Sequence, residues 1–477
     1  MNTHPTLSGI EATVRGAWSA GAGYVVEYVY RNAVTLSTKP PLDDGFSILR
    51  APDAVSCVET AVGIAEGGVR ALALINRRGI QSAIDALADA AGAVFQAGLV
   101  VAVIEDEPAS ALVADPRPLL RAARIPILEP AGPVEVLSYV DQAFRLSEQF
   151  TIPITVHVTR SVIDTCAVCS VPERRTTSKK GISTFPAERR TGPSAIADIE
   201  RRIAAVETFA NQSFDLNAVD ACSPDVGIIA AGIAYRYAKE VLPTASFLKL
   251  GVVHPLPRKM VSYFTGFVKR LYVIEDGEPF IEEQLRAAGF PVSGRDVFPH
   301  AGELSLETVA KGLASEGAFQ PAISIEPLTV EASRHGEPTN PAYRSLLSAL
   351  RNSSVRIMGF PENTHTLQLA AEYGFARARG KGPETPAAMV IPTPSRFLAH
   401  LAVITDLTTA DIPLIACIID CAGTDLPTRE GIDIRKLCEG IGISHVSEVP
   451  LADERAITEA VTAACNIRGI SVIRLVG

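Results

Sequence analysis

The stretch "DVGIIAAGIAYRYAKEVLPTASFLKLG", Asp225 to Gly251, decides the fold. Asp225–Gly232 is a run of small and apolar residues that reads as a buried strand. Tyr235–Pro243 reads as a helix and Ala245–Gly251 as a second buried strand. Strands apolar on both faces, joined through a helix, describe a parallel sheet covered on each side. The same grammar continues downstream in "RLYVIEDGEPFIEEQLRAAG" (270–289) and "ETVAKGLAS" (307–315). Upstream, the first 160 residues repeat it. "GVRALALINR" (68–77), "GLVVAVIEDE" (98–107), "IPILEP" (125–130) and "IPITVHVTR" (152–160) read as strands. They alternate with helical patterns in "SGIEATVRGAWSAG" (8–21), "IQSAIDALADAAGAVF" (80–95) and "PVEVLSYVDQAFRLSEQF" (133–150). A third set closes the chain, with "AAMVIPTPSRFLAHL" (387–401), "IPLIACIIDCAG" (412–423) and "GISVIRLVG" (469–477). The expected class is α/β, with three doubly wound parallel-sheet domains.

Composition excludes several functions. The 477 residues are 47% hydrophobic and 20% charged with a net charge of −9, an acidic globular balance that gives no general attraction to nucleic acid. No apolar run is long enough to cross a bilayer. "MNTHPTLSGIEATVRGAW" lacks the basic start and apolar core of a secretion signal, so a cytoplasmic location is expected. Of eight cysteines, only Cys166 and Cys169 form a CxxC, with no second pair at zinc spacing. They read as two thiols at a strand end. With no run of four cysteines, no iron–sulfur cluster is expected. Between Glu173 and Arg190, six Lys/Arg face two Glu, which reads as a solvated basic linker rather than a phosphate grip.

"GIIAAGIAYRYAKEVLPTASFLKLGVVHPLP", "RLYVIEDGEPFIEEQL" and "FPHAGELSLETVAKGL" resemble the middle domain of the indolepyruvate:ferredoxin oxidoreductase alpha-subunit family. "GGVRALALINRRGIQSAIDAL" resembles its first domain and "GIDIRKLCEGIGI" its last. The resemblance runs along nearly the whole chain and implies a thiamine-diphosphate fold. Expected domains are 1–165, pyrimidine-binding-like; 166–220, basic linker and helix; and 221–318, transketolase C-terminal-like. A linker at 319–354 and a truncated diphosphate-binding-like domain at 355–477 complete the chain. The family oxidatively decarboxylates aryl-pyruvates and passes electrons through iron–sulfur clusters, so a second oxidoreductase subunit or an intact paralogue is an implied partner. A homodimer is expected as well, with Ala- and Gly-rich helices of the first domain as interface candidates.

The resemblance also says where working residues should stand. A thiamine enzyme needs a glutamate against the aminopyrimidine ring; its position, nine residues before Gly63, is Ala54. Asp53 is adjacent, but a neighbouring helical side chain points about 100° away, and Glu59 matches a family glutamate without this role. The diphosphate metal motif falls on Pro392, Thr393 and Cys421 in place of Gly, Asp and Asn. Thr and Cys are a poor pair for Mg²⁺, and Pro392 offers no N–H to a phosphate. The cysteine-containing entry to the last domain appears as Met358–Asn363 without cysteine. The substrate-lining loop reads "EYVYRN", which makes Tyr28 and Arg31 pocket candidates together with Arg77 and Arg78. The stretch from Pro361 to Val390 is about half the family length, and the family's ferredoxin segment has no counterpart before Gly477.

Thiamine diphosphate and Mg²⁺ are thus implied by resemblance and opposed by these substitutions; no bound cofactor and no metal site are expected. No HExxH, GxSxG or phosphate-loop motif supplies replacement chemistry. His254 and His300 read as strand-end hydrogen-bonding residues, and the Glu275, Asp276, Glu278, Glu282, Glu283 cluster as a structural turn and helix start. Three readings stand at this point. The chain is an accessory subunit, an enzyme with a remodelled cleft acting on a 2-oxoacid or acyl group, or a conventional thiamine-dependent oxidoreductase.

Overall fold

The computed structural model describes residues 5–28, 45–93, 95–105, 114–175, 193–299, 304–318, 341–353, 356–357, 387–391, 414–420, 433–450, 452–467 and 469–476. The chain divides into two compact units, Met1–Pro327 and Leu328–Gly477.

The first unit opens with β1 (Thr6–Leu7), α1 (Gly9–Ser19), β2 (Tyr24–Tyr28), β3 (Ser47–Arg50), α2 (Ala54–Glu66), β4 (Ala71–Asn76) and α3 (Arg77–Gly92). It continues through β5 (Leu99–Ile104), α4 (Pro116–Ala122), β6 (Ile127–Leu128), α5 (Pro133–Phe150), β7 (Ile154–Val158), α6 (Arg160–Asp164) and β8 (Ala167–Val168). Next come α7 (Pro193–Ala210), β9 (Ala218–Asp220), β10 (Val226–Ala231), α8 (Gly232–Val241), β11 (Ser246–Leu250) and β12 (Val252–His254). The elements α9 (Arg258–Phe267), β13 (Arg270–Ile274), α10 (Phe280–Ala287) and α11 (Leu306–Ser315) end it.

Two sheets organise this unit. One has the order β12-β6-β7-β5-β4-β2-β3 and is parallel except for β12. The other has the order β13-β10-β11-β9 and is parallel except for β9. Both faces of the central strands are covered, as their unbroken apolar sequences require. In β4, Ala71, Ala73 and Ile75 enter one core, and Leu72 and Leu74 enter the other, where α1 and α5 pack. The β4–α2–α3 core also takes in Ile229 and Ala231 of β10 and Leu248 and Leu250 of β11, so the two sheets share apolar interior. Ile228 and Ala230 turn the other way, towards α8 and α11.

In the second unit, α12 (Pro341–Asn352), β14 (Arg356–Ile357), β15 (Ala387–Ile391) and β16 (Leu414–Asp420) precede α13 (Ile434–Gly440), β17 (His445–Pro450), α14 (Glu454–Cys465) and β18 (Ile470–Val476). They form a parallel sheet of order β14-β15-β16-β18-β17. The segment expected as a linker, 319–354, therefore contains a helix. Leu346, Ala349 and Leu350 of α12, spaced three and four apart, bury themselves against Ile415, Val461 and Ile473. Among the described residues no helix is long and apolar enough to cross a membrane.

Candidate functional site

In parallel α/β sheets ligands gather at the carboxyl ends of the strands, and the expected pyrimidine corner lies there. Ala54 opens α2 and is 1% exposed. Asp53 is the N-cap: one carboxylate oxygen accepts from Ser56 N at 2.7 Å and the other from Ser56 Oγ at 3.0 Å. Asn76 caps α3 in the same manner, accepting from Gly79 N at 2.9 Å. The two helix starts close on each other, because a Cβ at Gly79 would lie 3.0 Å from Ala54 Cβ and 3.5 Å from Tyr28 Cδ1. Glu27, at the end of β2, is bound to Arg50 Nε at 2.8 Å. At the position the resemblance assigns to the activating carboxylate the corner has a methyl group, and its neighbouring acids Asp53 and Glu27 are engaged elsewhere. On that placement these residues do not fit that cofactor.

Arg77 is not an open pocket residue. Its Nε donates to Ala114 O at 3.0 Å, and its guanidinium faces Glu105 at 3.9 Å. Arg78 sits half-buried in the first turn of α3. Arg31, Pro392, Thr393 and Cys421 lie outside the described residues, as does His300.

A buried charge cluster, not anticipated as a unit from the sequence, joins the strand ends of both sheets. Arg117 of α4, 1% exposed, is at its centre. It reaches Asp115 Oδ2 at 2.6 Å, Glu275 Oε2 at 3.1 Å and Glu129 Oε2 at 3.4 Å, and donates to the Asp276 and Glu278 carbonyls at 2.7 and 2.9 Å. His157 of β7 lies between Glu105 Oε1, 2.9 Å from Nε2, and Glu129 Oε2, 3.3 Å from Nδ1. Burial opposes charge on His157, but the two carboxylates override it and push its pKa up to about 10. Burial likewise works against ionised Asp115, and Arg117 overrides it, holding the carboxyl at about 2. Burial wins at Glu275 and Asp276, which rise to about 7 and about 6 despite Arg117.

The acidic cluster at 275–283 keeps its expected structural role. Glu275 accepts from Ile281 N and Glu282 N at 2.9 Å, binding the start of α10. Gly277, at φ +75°, lies so close to Asp115 that a Cβ would stand 2.8 Å from Oδ2. His157 and Arg117 are almost fully buried among the described residues, and their ion pairs tie the strand ends of the two sheets together. The cluster's sequence signals were single polar residues in apolar runs, His157 in "ITVHV" and Glu129 in "PILEP".

A separate cleft of about 620 Å³ opens between α4, α7, the β12–α9 turn and α10. Arg121, His254, Arg258, Ile203 and Leu256 line it, with Glu200, Glu207 and Glu283 on its walls. A smaller lobe sharing Arg121, His254 and Glu200 adjoins it and adds Arg124. Arg124 pairs with Glu200 at 2.7 Å. His254, expected as a surface or hydrogen-bonding residue, lines the cleft and is hydrogen-bonded to Gln284; burial lowers its pKa to about 4, and its Nδ1 is enclosed without a hydrogen-bond partner.

No family model matches the chain. Indolepyruvate oxidoreductase subunit IorA of Archaeoglobus fulgidus is 29% identical over 356 residues, 69% of this chain and 56% of that protein. The IorA subunit of Methanothermobacter marburgensis is 29% identical over 310 residues, 62% of this chain and 50% of its own length. The chain thus spans about half the length of these curated relatives. Among solved structures, the 2-oxoglutarate:ferredoxin oxidoreductase of Magnetococcus marinus superposes with a TM-score of 0.53 at 14% identity, over 66% of this chain and 65% of that one. The resemblance read from the sequence is borne out, and so is the α/β fold shared with a 2-oxoacid oxidoreductase.

Proposed function

We propose that this chain is a subunit of a 2-oxoacid oxidoreductase-type assembly that retains the scaffold of thiamine-diphosphate enzymes without thiamine chemistry of its own, and acts there as an accessory or structural component. The observation that carries this reading is Ala54. The position that the resemblance assigns to the carboxylate facing the aminopyrimidine is a buried methyl group, packed close to Gly79. The adjacent Asp53 is committed to capping α2 and cannot serve without uncapping the helix. The similarity to IorA subunits, proteins named as subunits of an oxidoreductase, supports a role alongside a partner.

Calorimetry of the purified chain with thiamine diphosphate and Mg²⁺ tests the reading. No stoichiometric binding at micromolar concentrations is expected, and a one-to-one micromolar complex would overturn it. Ala54→Glu alone should not restore binding, because Pro392, Thr393 and Cys421 remain in place of the metal motif. The substitution should instead destabilise the fold by about 1–3 kcal/mol, through overpacking and an unpaired buried carboxylate.

A further inference from the structure

We propose that the cleft between α4, α7 and α10 binds a small organic anion with an apolar body, held by the guanidinium of Arg121. Arg121 and Arg117 are one helical turn apart on α4, a spacing at which like charges repel. Arg117 is neutralised by its carboxylate cage, whereas no carboxylate among the described residues pairs with Arg121. Arg121 is nonetheless fixed, since its guanidinium lies over the Phe280 ring, 5.2 Å from the centroid, with Arg117 also on that ring at 5.3 Å. A stacked guanidinium without a partner has already lost much of its rotamer freedom, and its planar fork matches a carboxylate or phosphate.

The surroundings fit the same class of ligand. The positive charge of Arg121 is felt at His254, which shares the cleft and is kept neutral mainly by burial. Arg258, exposed and unpaired among the described residues, also lines the cleft. Ile203 and Leu256 supply apolar wall, and about 620 Å³ lies within the range of small-molecule sites. Of the three acids on the walls, Glu200 is taken by Arg124, Glu283 is exposed, and Glu207 is half-buried on α7, so an anion must be held by Arg121 against the charge of Glu207. The cleft shares no residue with the corner around Ala54, so this inference stands or falls independently of the thiamine reading.

Phenyl phosphate and benzoate separate the two oxyanion types, with benzylamine as the opposite charge. Calorimetric titration of the full chain is expected to show one-to-one binding of at least one anion and none of benzylamine. Arg121→Met should weaken that binding by on the order of tenfold or more, and Arg121→Lys by less, with circular dichroism melts confirming that each variant is folded. In ¹⁵N-histidine spectra of the unsubstituted protein, the bound anion should shift the His254 ring nitrogens, assigned through His254→Gln. Absence of anion binding up to about 10 mM, equal binding to folded Arg121→Met, or preference for benzylamine overturns the proposal. Should Arg121→Met not fold, an unshifted His254 signal in the unsubstituted protein at saturating anion overturns it as well.

Discussion

Replacing Arg117 by methionine would leave Asp115, Glu129 and Glu275 facing one another in the interior without their cation. Breaking a buried ion pair from one side costs about 3–5 kcal/mol, because the remaining charge keeps its desolvation penalty. Urea unfolding of Arg117→Met should show a loss of that order; a change below about 1 kcal/mol would mean the cluster is not the clamp described. His157 supplies a pH signature. Its folded pKa, about 10, lies above the unfolded value, so its stabilisation is fully present below about pH 6.5 and is lost as pH rises through 10. Melts between pH 7 and pH 10 should fall more steeply for the unsubstituted chain than for His157→Gln, by up to about 1.4 kcal/mol per pH unit. Parallel curves would contradict the charged assignment. Residues of this kind were only partly legible in the sequence. Counting from Gly63 singles out Ala54 within a local segment, whereas the Arg117–Glu275 contact spans 158 positions and leaves no local pattern.

At the scale of elements, apolar runs announced the buried strands. Each of the six residues in "ALALIN" and "LVVAVI" is buried, a consequence of helices on both faces that a continuous run already encodes. The α12 helix was missed because proline, serine and glutamate dominate the segment around it, and twelve residues carry only a short amphipathic stripe. The α2 helix was expected to contribute to an interface, and one of its residues can test this without disturbing the core. A Cβ at Gly63 meets nothing within 4 Å, so a larger side chain there projects from the first unit. Glycine in a helix interior costs about 0.8–1.0 kcal/mol relative to alanine, and leucine is nearly as favourable as alanine. Gly63→Leu should therefore raise the chain's own stability by about 0.5–1 kcal/mol in denaturant unfolding. A marked loss instead would show that α2 is packed on that side within the chain.

The same substitution has the opposite expected effect on the assembled molecule. Soluble oligomers are most often two-fold dimers whose contact patches are self-complementary. Small residues on a contact helix permit an approach that leucine would block. An accessory subunit must be retained for its contacts, so the proposed role requires a homodimer, a complex with a second oxidoreductase subunit, or both. Light scattering at micromolar concentration should return at least twice the 50.6 kDa chain mass, or a partner should be recovered with the tagged chain. Gly63→Leu should weaken that association while leaving the chain more stable, a pairing of signs that simple misfolding cannot produce. Thr393→Ala, at the position the resemblance assigns to a metal ligand, should leave association unchanged. A monomer of 50.6 kDa that recovers no partner would remove the accessory role and leave the chain acting alone, with the Arg121 cleft as the place to look for its ligand.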